Sequence, residues 1–269
     1  MEKIFKLTGA QSFSQRIKRS ATDLGFFHCG IARARRLDED AVRLENWLNK
    51  NYHGSMSYME NHFDLSVDPM KLVPGARSVI TLLMNYFPET SQPKDLPQVS
   101  KYAYGNDYHE VIRAKLNELL FRIREFVGEV NGRGFVDSAP VLERAWARES
   151  GIGWIGKNGN LIHRNAGSFF FLATLITDLE LEHDLPFAGD YCGTCRKCIE
   201  ACPTNAIVFG NVNDKDSAVS QVRMVEQKNR VFYALEQLHA LPSVNYLAKV
   251  RNTDRHVGVA EAHHEAAEA

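Results

Sequence analysis

Four thiols, Cys192, Cys195, Cys198 and Cys202, fall within eleven residues in the order Cys-x2-Cys-x2-Cys-x3-Cys-Pro. Thiolates are soft donors that suit iron and sulfide, and this spacing is one that binds a four-iron, four-sulfur cluster. The short gaps let three sulfurs wrap one face of a cubane. Gly193 and Thr194 leave room for backbone amides beside it, and Pro203 redirects the chain into a helix expected near Thr204. Zinc competes, because paired Cys-x2-Cys motifs also bind it tetrahedrally, but the overlapping third pair and the Cys-Pro ending fit iron and sulfide better. In two-cluster modules the cysteine before proline serves the second cluster, whose other ligands come from a second run. No second run is present. The fifth cysteine, Cys29, lies in the apolar stretch GFFHCGIA and is expected to be buried and structural.

A second chemical candidate is Asp137, a carboxylate at the end of an apolar strand facing the glycine-rich loop GIGWIGKNG. A carboxylic acid held against an apolar cofactor face keeps its proton longer than in water, as a general acid requires, so Asp137 is expected to be a buried proton donor. The plainer alternative is a helix cap near Pro140. Gly151, Gly153, Gly156 and Gly159 permit close backbone approach to a bulky ligand. Their spacing does not follow Gly-x-Gly-x-x-Gly after a first strand, so no nicotinamide site is expected.

The elements that must position these residues read as an α/β (α+β) arrangement. An amphipathic helix over 12–24 leads into a buried strand in FFHCGIARA, and a helix over 39–50 and a short helical piece after YHGSMSYM precede an apolar strand over 78–87. The segment PETSQPKDLPQ reads as a surface loop. From Asp107 to Val130, Val111, Ile112, Leu116, Leu119, Leu120, Ile123 and Phe126 recur at helical spacing, which predicts a long helix packing on the core. A strand GFVD, a helix opening at Pro140, and strands in NLIHR and SFFFLATLI complete a helix-covered central sheet to about residue 180. The expected organisation is a catalytic domain over 1–182, a small cysteine module over 183–212, and a polar C-terminal part over 213–269 with one helix and a disordered tail.

At 269 residues the chain can bury a sizeable core. No apolar run approaches the roughly 20 residues of a membrane helix, and the first fifteen residues lack the apolar centre of a secretory signal. The expected location is therefore the cytoplasm, with no membrane insertion. Clustered cysteines in a reducing compartment point to metal and not to a disulfide framework. The net charge of −1 means that a nucleic-acid partner would meet a local basic patch. Arg16, Lys18, Arg19, Arg196 and Lys197 are candidates for such contacts, although such side chains are usually solvated surface charges.

From about residue 10 to 207 the chain resembles the epoxyqueuosine reductases, cobalamin and iron–sulfur enzymes of the tRNA queuosine pathway. The resemblance rests on YHGSMSYM, KLVPGARSVITLLMNY, YAYGNDYHEVIRAKL, VDSAPVLERAWARESGIGWIGKNGNLIH, GSFFFLATLITDLEL and CGTCRKCIEACPTNAI, in that order. It implies a cobalamin-binding catalytic domain, related to that of reductive dehalogenases, followed by a ferredoxin-like module with two clusters in the intact family. Asp137 matches the proton donor, while Ser100, Arg144, Gly156, Lys157, Asn158 and Ser168 lie in segments that line the corrinoid. A basic residue common before the "DP" preceding KLVPG is absent from DLSVDP. The implied substrate is tRNA, at its anticodon region, with an external electron donor and a monomeric enzyme.

After Ile207 the chain departs from that pattern and is similar to ferredoxin-type iron–sulfur subunits of molybdopterin oxidoreductases and alternative complex III. The two resemblances meet inside CPTNAIV, as expected of a fusion across a shared motif. Loss of the second ligand set would impair electron delivery. The rival expectations are an electron-transfer subunit of a larger oxidoreductase and an inactive cobalamin-binding remnant.

Overall fold

The computed structural model describes residues 12–90, 92–93, 95, 99–202, 205–208 and 221–222. Pro203, Thr204 and nearly all of the expected C-terminal part, with its helix and tail, lie outside the described residues. Helix α1 (Phe13–Asp23) is capped by Ser12, whose side chain accepts the Gln15 N–H. It runs into strand β1 (His28–Arg33), and α2 (Asp38–Asn49) follows. Three short helices, α3 (Tyr58–Asn61), α4 (Phe63–Val67) and α5 (Pro69–Leu72), then lead to β2 (Ser78–Asn85). The long helix is α6 (Tyr108–Val127), followed by β3 (Gly132–Phe135) and α7 (Glu143–Glu149). Strand β4 (Trp154–Ile155), inside the stretch read as a glycine-rich loop, forms a hairpin with β5 (Leu161–Ile162), which lies in the strand expected at NLIHR. Last come β6 (Phe170–Thr177), a helical turn α8 (Lys197–Glu200), and the pair β7 (Ile207–Val208) and β8 (Gln221–Val222).

The expected helix-covered sheet is present, in the order β1-β2-β6-β3, and every neighbouring pair is antiparallel. Its two central strands read almost wholly apolar because both faces are covered. On one face lie Ile80, Leu82, Met84, Ala173 and Leu175, packed by Ile17 and Ala21 of α1 and by Ile112, Leu116, Leu119, Leu120 and Ile123 of α6. Burying each large aliphatic side chain contributes about 1.5–3 kcal/mol, so the apolar stripe of α6 is what fixes that helix to the sheet. On the other face Val79 and Ile176 pack with Ala145 and Trp146 of α7, while Leu83 packs with Ala147, Ile152 and Leu161. Gly30 allows this approach, since a Cβ there would stand 2.4 Å from the Ser150 carbonyl oxygen.

Two boundaries differ from expectation. Strand β3 stops at Phe135, so Asp137 lies beyond the strand instead of closing it. Helix α7 starts at Glu143 with Leu142 at its N-cap, not at Pro140, so Asp137 is not its cap. After β6 the chain is laid back on the sheet by Asp184. Its backbone N–H donates to the Ile31 carbonyl at 2.8 Å and its carboxylate accepts the Ile31 N–H at 2.8 Å. Lys18 of α1 closes the clasp, Nζ to carboxylate oxygens at 2.5 and 2.7 Å. Phe187 N–H then donates to the Arg148 carbonyl, which carries the chain to the cysteines.

Candidate active site and cysteine module

Antiparallel pairing brings three chain segments to one end of the sheet. There β2 ends and β6 begins, Asn85 opposite Phe170, while β3 runs out toward Asp137. Asp137 adopts φ 51°, a left-handed conformation that an L-residue other than glycine adopts at a cost of order 1 kcal/mol or more. The bend turns its side chain outward, and the carboxylate is 63% exposed. This corrects the expectation of a buried acid: the strand ends two residues early, and the turn points the group at the space beyond the sheet edge.

Three side chains fix it. The Tyr108 hydroxyl donates to Asp137 Oδ2 at 2.5 Å, and His109 Nε2 stands 3.3 Å from the same oxygen. Both come from the first turn of α6, whose N-cap Asp107 accepts the His109 N–H and also lies 2.7 Å from His109 Nδ1. The Tyr108 ring is stacked on Phe171 of β6 at 4.0 Å and 5°, and Phe171 lies against Tyr86. Burial and the bond to Asp137 push the Tyr108 phenol well above its usual range, so it remains a donor at any working pH. The third side chain is Glu143, whose carboxylate accepts the Asp137 backbone N–H at 3.0 Å. Solvent still reaches part of this residue, yet protein crowds the carboxyl, and desolvation raises its pKa to about 8. Tyr108, His109 and Glu143 had no assigned role in the sequence. The usable signal was Asp107, which as a cap puts the next two side chains at a helix mouth.

The residues expected to line a corrinoid divide between two places. Ser100 leads the 3-10 turn Lys101–Ala103, which carries Tyr102 edge-on to Tyr108, and so belongs to the Asp137 side. Ser168, just before β6, is buried and its hydroxyl has no hydrogen-bond partner among the described residues. Arg144 donates from Nη1 to the Gly159 carbonyl, tying α7 to the hairpin turn, where Gly156 N–H closes on the Asn160 carbonyl and Asn158 Oδ1 accepts the Asn160 N–H. A buried, unpaired hydroxyl in such a segment fits a ligand that brings its own polar groups, as a corrinoid does. Lys157 faces the other way. Its buried ammonium donates to the carbonyls of Gly193 and Cys195, at 2.6 and 3.0 Å, and so grips the cysteine loop.

Within that loop Cys192 and Cys195 close a turn, Cys195 N–H to the Cys192 carbonyl at 2.9 Å. Burial first, and then the charges of Cys192 and Cys195, raise the Cys198 thiol pKa, so these three sulfurs share one neighbourhood. Cys202 is buried with Ala206 and Ile207, and Cys198 packs against that group. No three His, Cys, Asp or Glu side chains among the described residues converge tightly enough for a single metal ion. The donor chemistry of Cys192, Cys195 and Cys198 fits one face of an iron–sulfur cluster, and in two-cluster modules the cysteine before proline, here Cys202, serves the other cluster. Cys29 is buried as expected, and desolvation pushes its thiol up to about 12, which makes it inert. Of the basic candidates, Lys18 is paired with Asp184 and Arg16 lies over the Phe126 ring. No helix among the described residues is long and apolar enough to cross a membrane.

A family model described as "Epoxyqueuosine reductase QueG, DUF1730" matches residues 67–138, which hold β2, the first turn of α6 and Asp137. An epoxyqueuosine reductase of Cyclobacterium marinum is 53% identical over 212 residues, covering 78% of this chain and 68% of its own length. That of Escherichia coli is 42% identical over 201 residues, covering 72% and 52%. Among solved structures, an epoxyqueuosine reductase with an epoxyqueuosine-modified tRNA-Tyr stem loop superposes with TM-score 0.63 at 29% identity, over 71% of this chain and 52% of that one. The chain therefore spans from about half to about two thirds of these relatives. With a relative 53% identical over 78% of this chain and 68% of its own length, the chain belongs to the epoxyqueuosine reductase family.

Proposed function

We propose that the chain acts in the reductive removal of the epoxide oxygen of epoxyqueuosine in tRNA, with Asp137 as the proton donor. The observation that carries this reading is the outward-facing Asp137 carboxylate held at one oxygen by Tyr108 and His109. The net change takes two electrons and two protons: both carbon–oxygen bonds break, a carbon–carbon double bond forms, and the oxygen leaves as water. Cobalamin, when bound, would supply the two-electron chemistry at the epoxide carbon, and the cysteine module would carry electrons from an external donor.

The chain's own residues do the rest. Tyr108 occupies Asp137 Oδ2, so Oδ1 is the oxygen that would face the substrate. His109, oriented through Nδ1 by Asp107, can pass a proton from solvent to Asp137 when both ring nitrogens are protonated. Ser100, Arg144, Gly156, Asn158 and Ser168 would hold the corrinoid, with Lys157 bridging to the cysteine loop. The cytoplasm is the compartment that holds this tRNA substrate and keeps such thiols reduced, and we assign the chain there as a monomer.

The test uses the full chain, purified anaerobically and reconstituted with iron, sulfide and cobalamin, acting on an epoxyqueuosine-bearing tRNA stem loop with a chemical reductant. Asp137→Asn is expected to lower turnover by 100-fold or more, about the 10²–10⁴ span of general acid catalysis, while corrinoid absorption is retained. Turnover undiminished in that variant removes Asp137 from the role of acid.

A further inference from the structure

Trp154 stands on β4 with its indole nitrogen 3.5 Å from Cys192 Sγ. The ring is only 6% exposed and is enclosed by Phe187, at 5.8 Å between centroids, and Tyr191, at 5.2 Å, so it has little freedom to turn away. Indole N–H is a donor only, and a buried one needs an acceptor. The hairpin that carries it is closely built: a Cβ at Gly153 would stand 2.2 Å from the Ile162 carbonyl oxygen, so only glycine allows β4 to lie where it does. The same hairpin grips the loop twice more, through Lys157 on the Gly193 and Cys195 carbonyls and through Arg164 over the Tyr191 ring at 5.0 Å.

We propose that Trp154 is a positioning residue of the iron–sulfur site: its N–H donates to the Cys192 sulfur, sets that ligand's direction, and raises the reduction potential of the cluster that Cys192, Cys195 and Cys198 bind. The inference rests on the iron–sulfur reading of those cysteines. A thiolate is a far better acceptor than a thiol, so the bond is strongest once the sulfur ligates metal. Adding an electron to the cluster increases negative charge on its sulfurs. A donor aimed at one of them then stabilises the reduced form more than the oxidised form, which moves the potential upward. The Lys157 ammonium, close on the same loop, acts in the same direction. The stretch read as a corrinoid-lining loop thus also serves the electron-carrying module.

The test is a potentiometric titration of the anaerobically reconstituted full chain, followed by electron paramagnetic resonance, comparing wild type with Trp154→Phe, which keeps an aromatic ring and removes the donor. At a fixed potential near the midpoint, the reduced-to-oxidised ratio of the variant is expected to fall about tenfold, which for one electron is about 59 mV. Equal midpoints overturn the proposal. A wild-type chain that takes up no cluster overturns the iron–sulfur reading beneath it. If the variant does not fold, wild type grown with ¹⁵N-tryptophan decides: hyperfine coupling of ¹⁵N to the reduced cluster supports the bond, and its absence overturns it.

Discussion

Replacing Glu143 with glutamine should change how stability depends on pH. The amide oxygen can still accept the Asp137 N–H, which the Glu143 carboxylate holds at 3.0 Å, so the local geometry is kept while the titration is removed. In the folded protein, desolvation raises this carboxyl from 4.5 to about 8. Between these values the native state binds a proton that the unfolded chain has released, so stability is complete below about pH 4.5, falls as pH rises, and is lost above about pH 8. A span of roughly 3.5 units at 1.36 kcal/mol each sets a ceiling of about 5 kcal/mol. Solvent reaches part of the residue and screens the charge, which leaves about 2–3 kcal/mol as the expected loss between pH 5 and pH 8. The assay is urea unfolding followed by tryptophan fluorescence at several pH values. With a slope of about 2–3 kcal/mol per molar, the wild-type midpoint should drop by about 1 M more than that of Glu143→Gln over this range. Parallel pH profiles for the two proteins would show that the carboxyl is ionised in the fold, and the argument from desolvation would fail.

Two other outcomes follow from packing and ligation. Gly30→Ala places a methyl group 2.4 Å from the Ser150 carbonyl oxygen and 2.9 Å from Ile152 Cγ1, contacts with backbone and core that cannot yield cheaply. A loss of about 3 kcal/mol, read as a fall in Tm of about 6–10 °C, is expected, and an unchanged Tm would mean that α7 does not press on the sheet there. Cys198→Ala should abolish the visible iron–sulfur absorption of the reconstituted chain, whereas Cys202→Ala should leave most of it, because in two-cluster modules the cysteine before proline serves the other cluster; equal losses would return all four thiols to one cluster.

Much of the scaffold was legible because its signals are long and periodic. The apolar stripe of α6 and the continuous run of β2 each repeat their message over many residues, and the structure has both close to their expected bounds. The elements that escaped are short. Strand β4 has two residues and sits among glycines that dominate any local reading, so one arm of the hairpin looked like a loop, while its partner β5 lies inside the strand expected in NLIHR. The helix α5 is a single turn opened by Pro69, a signal too brief to count from sequence. At the candidate site, the place of Asp137 near the end of an apolar strand was legible but not its exposure, because exposure depends on where β3 lets go and on one φ angle. The partners Tyr108 and Glu143 stand 29 and 6 residues away along the chain, and only the folded register brings them to it. Lys157 shows the same limit: the resemblance put it in a corrinoid-lining loop, but its direction toward the cysteines is a property of the hairpin.

The left-handed bend at Asp137 constrains which replacements can be informative and which can be inherited. Glycine, asparagine and aspartate tolerate such a backbone, and most other side chains would have to force it open. Alanine at 137 would therefore confound two losses, the carboxyl and the shape of the turn, whereas asparagine isolates the first. Drift at this position meets a steric barrier set by the bend and, on the proton-donor reading proposed above, a chemical one, and aspartate is the residue that passes both.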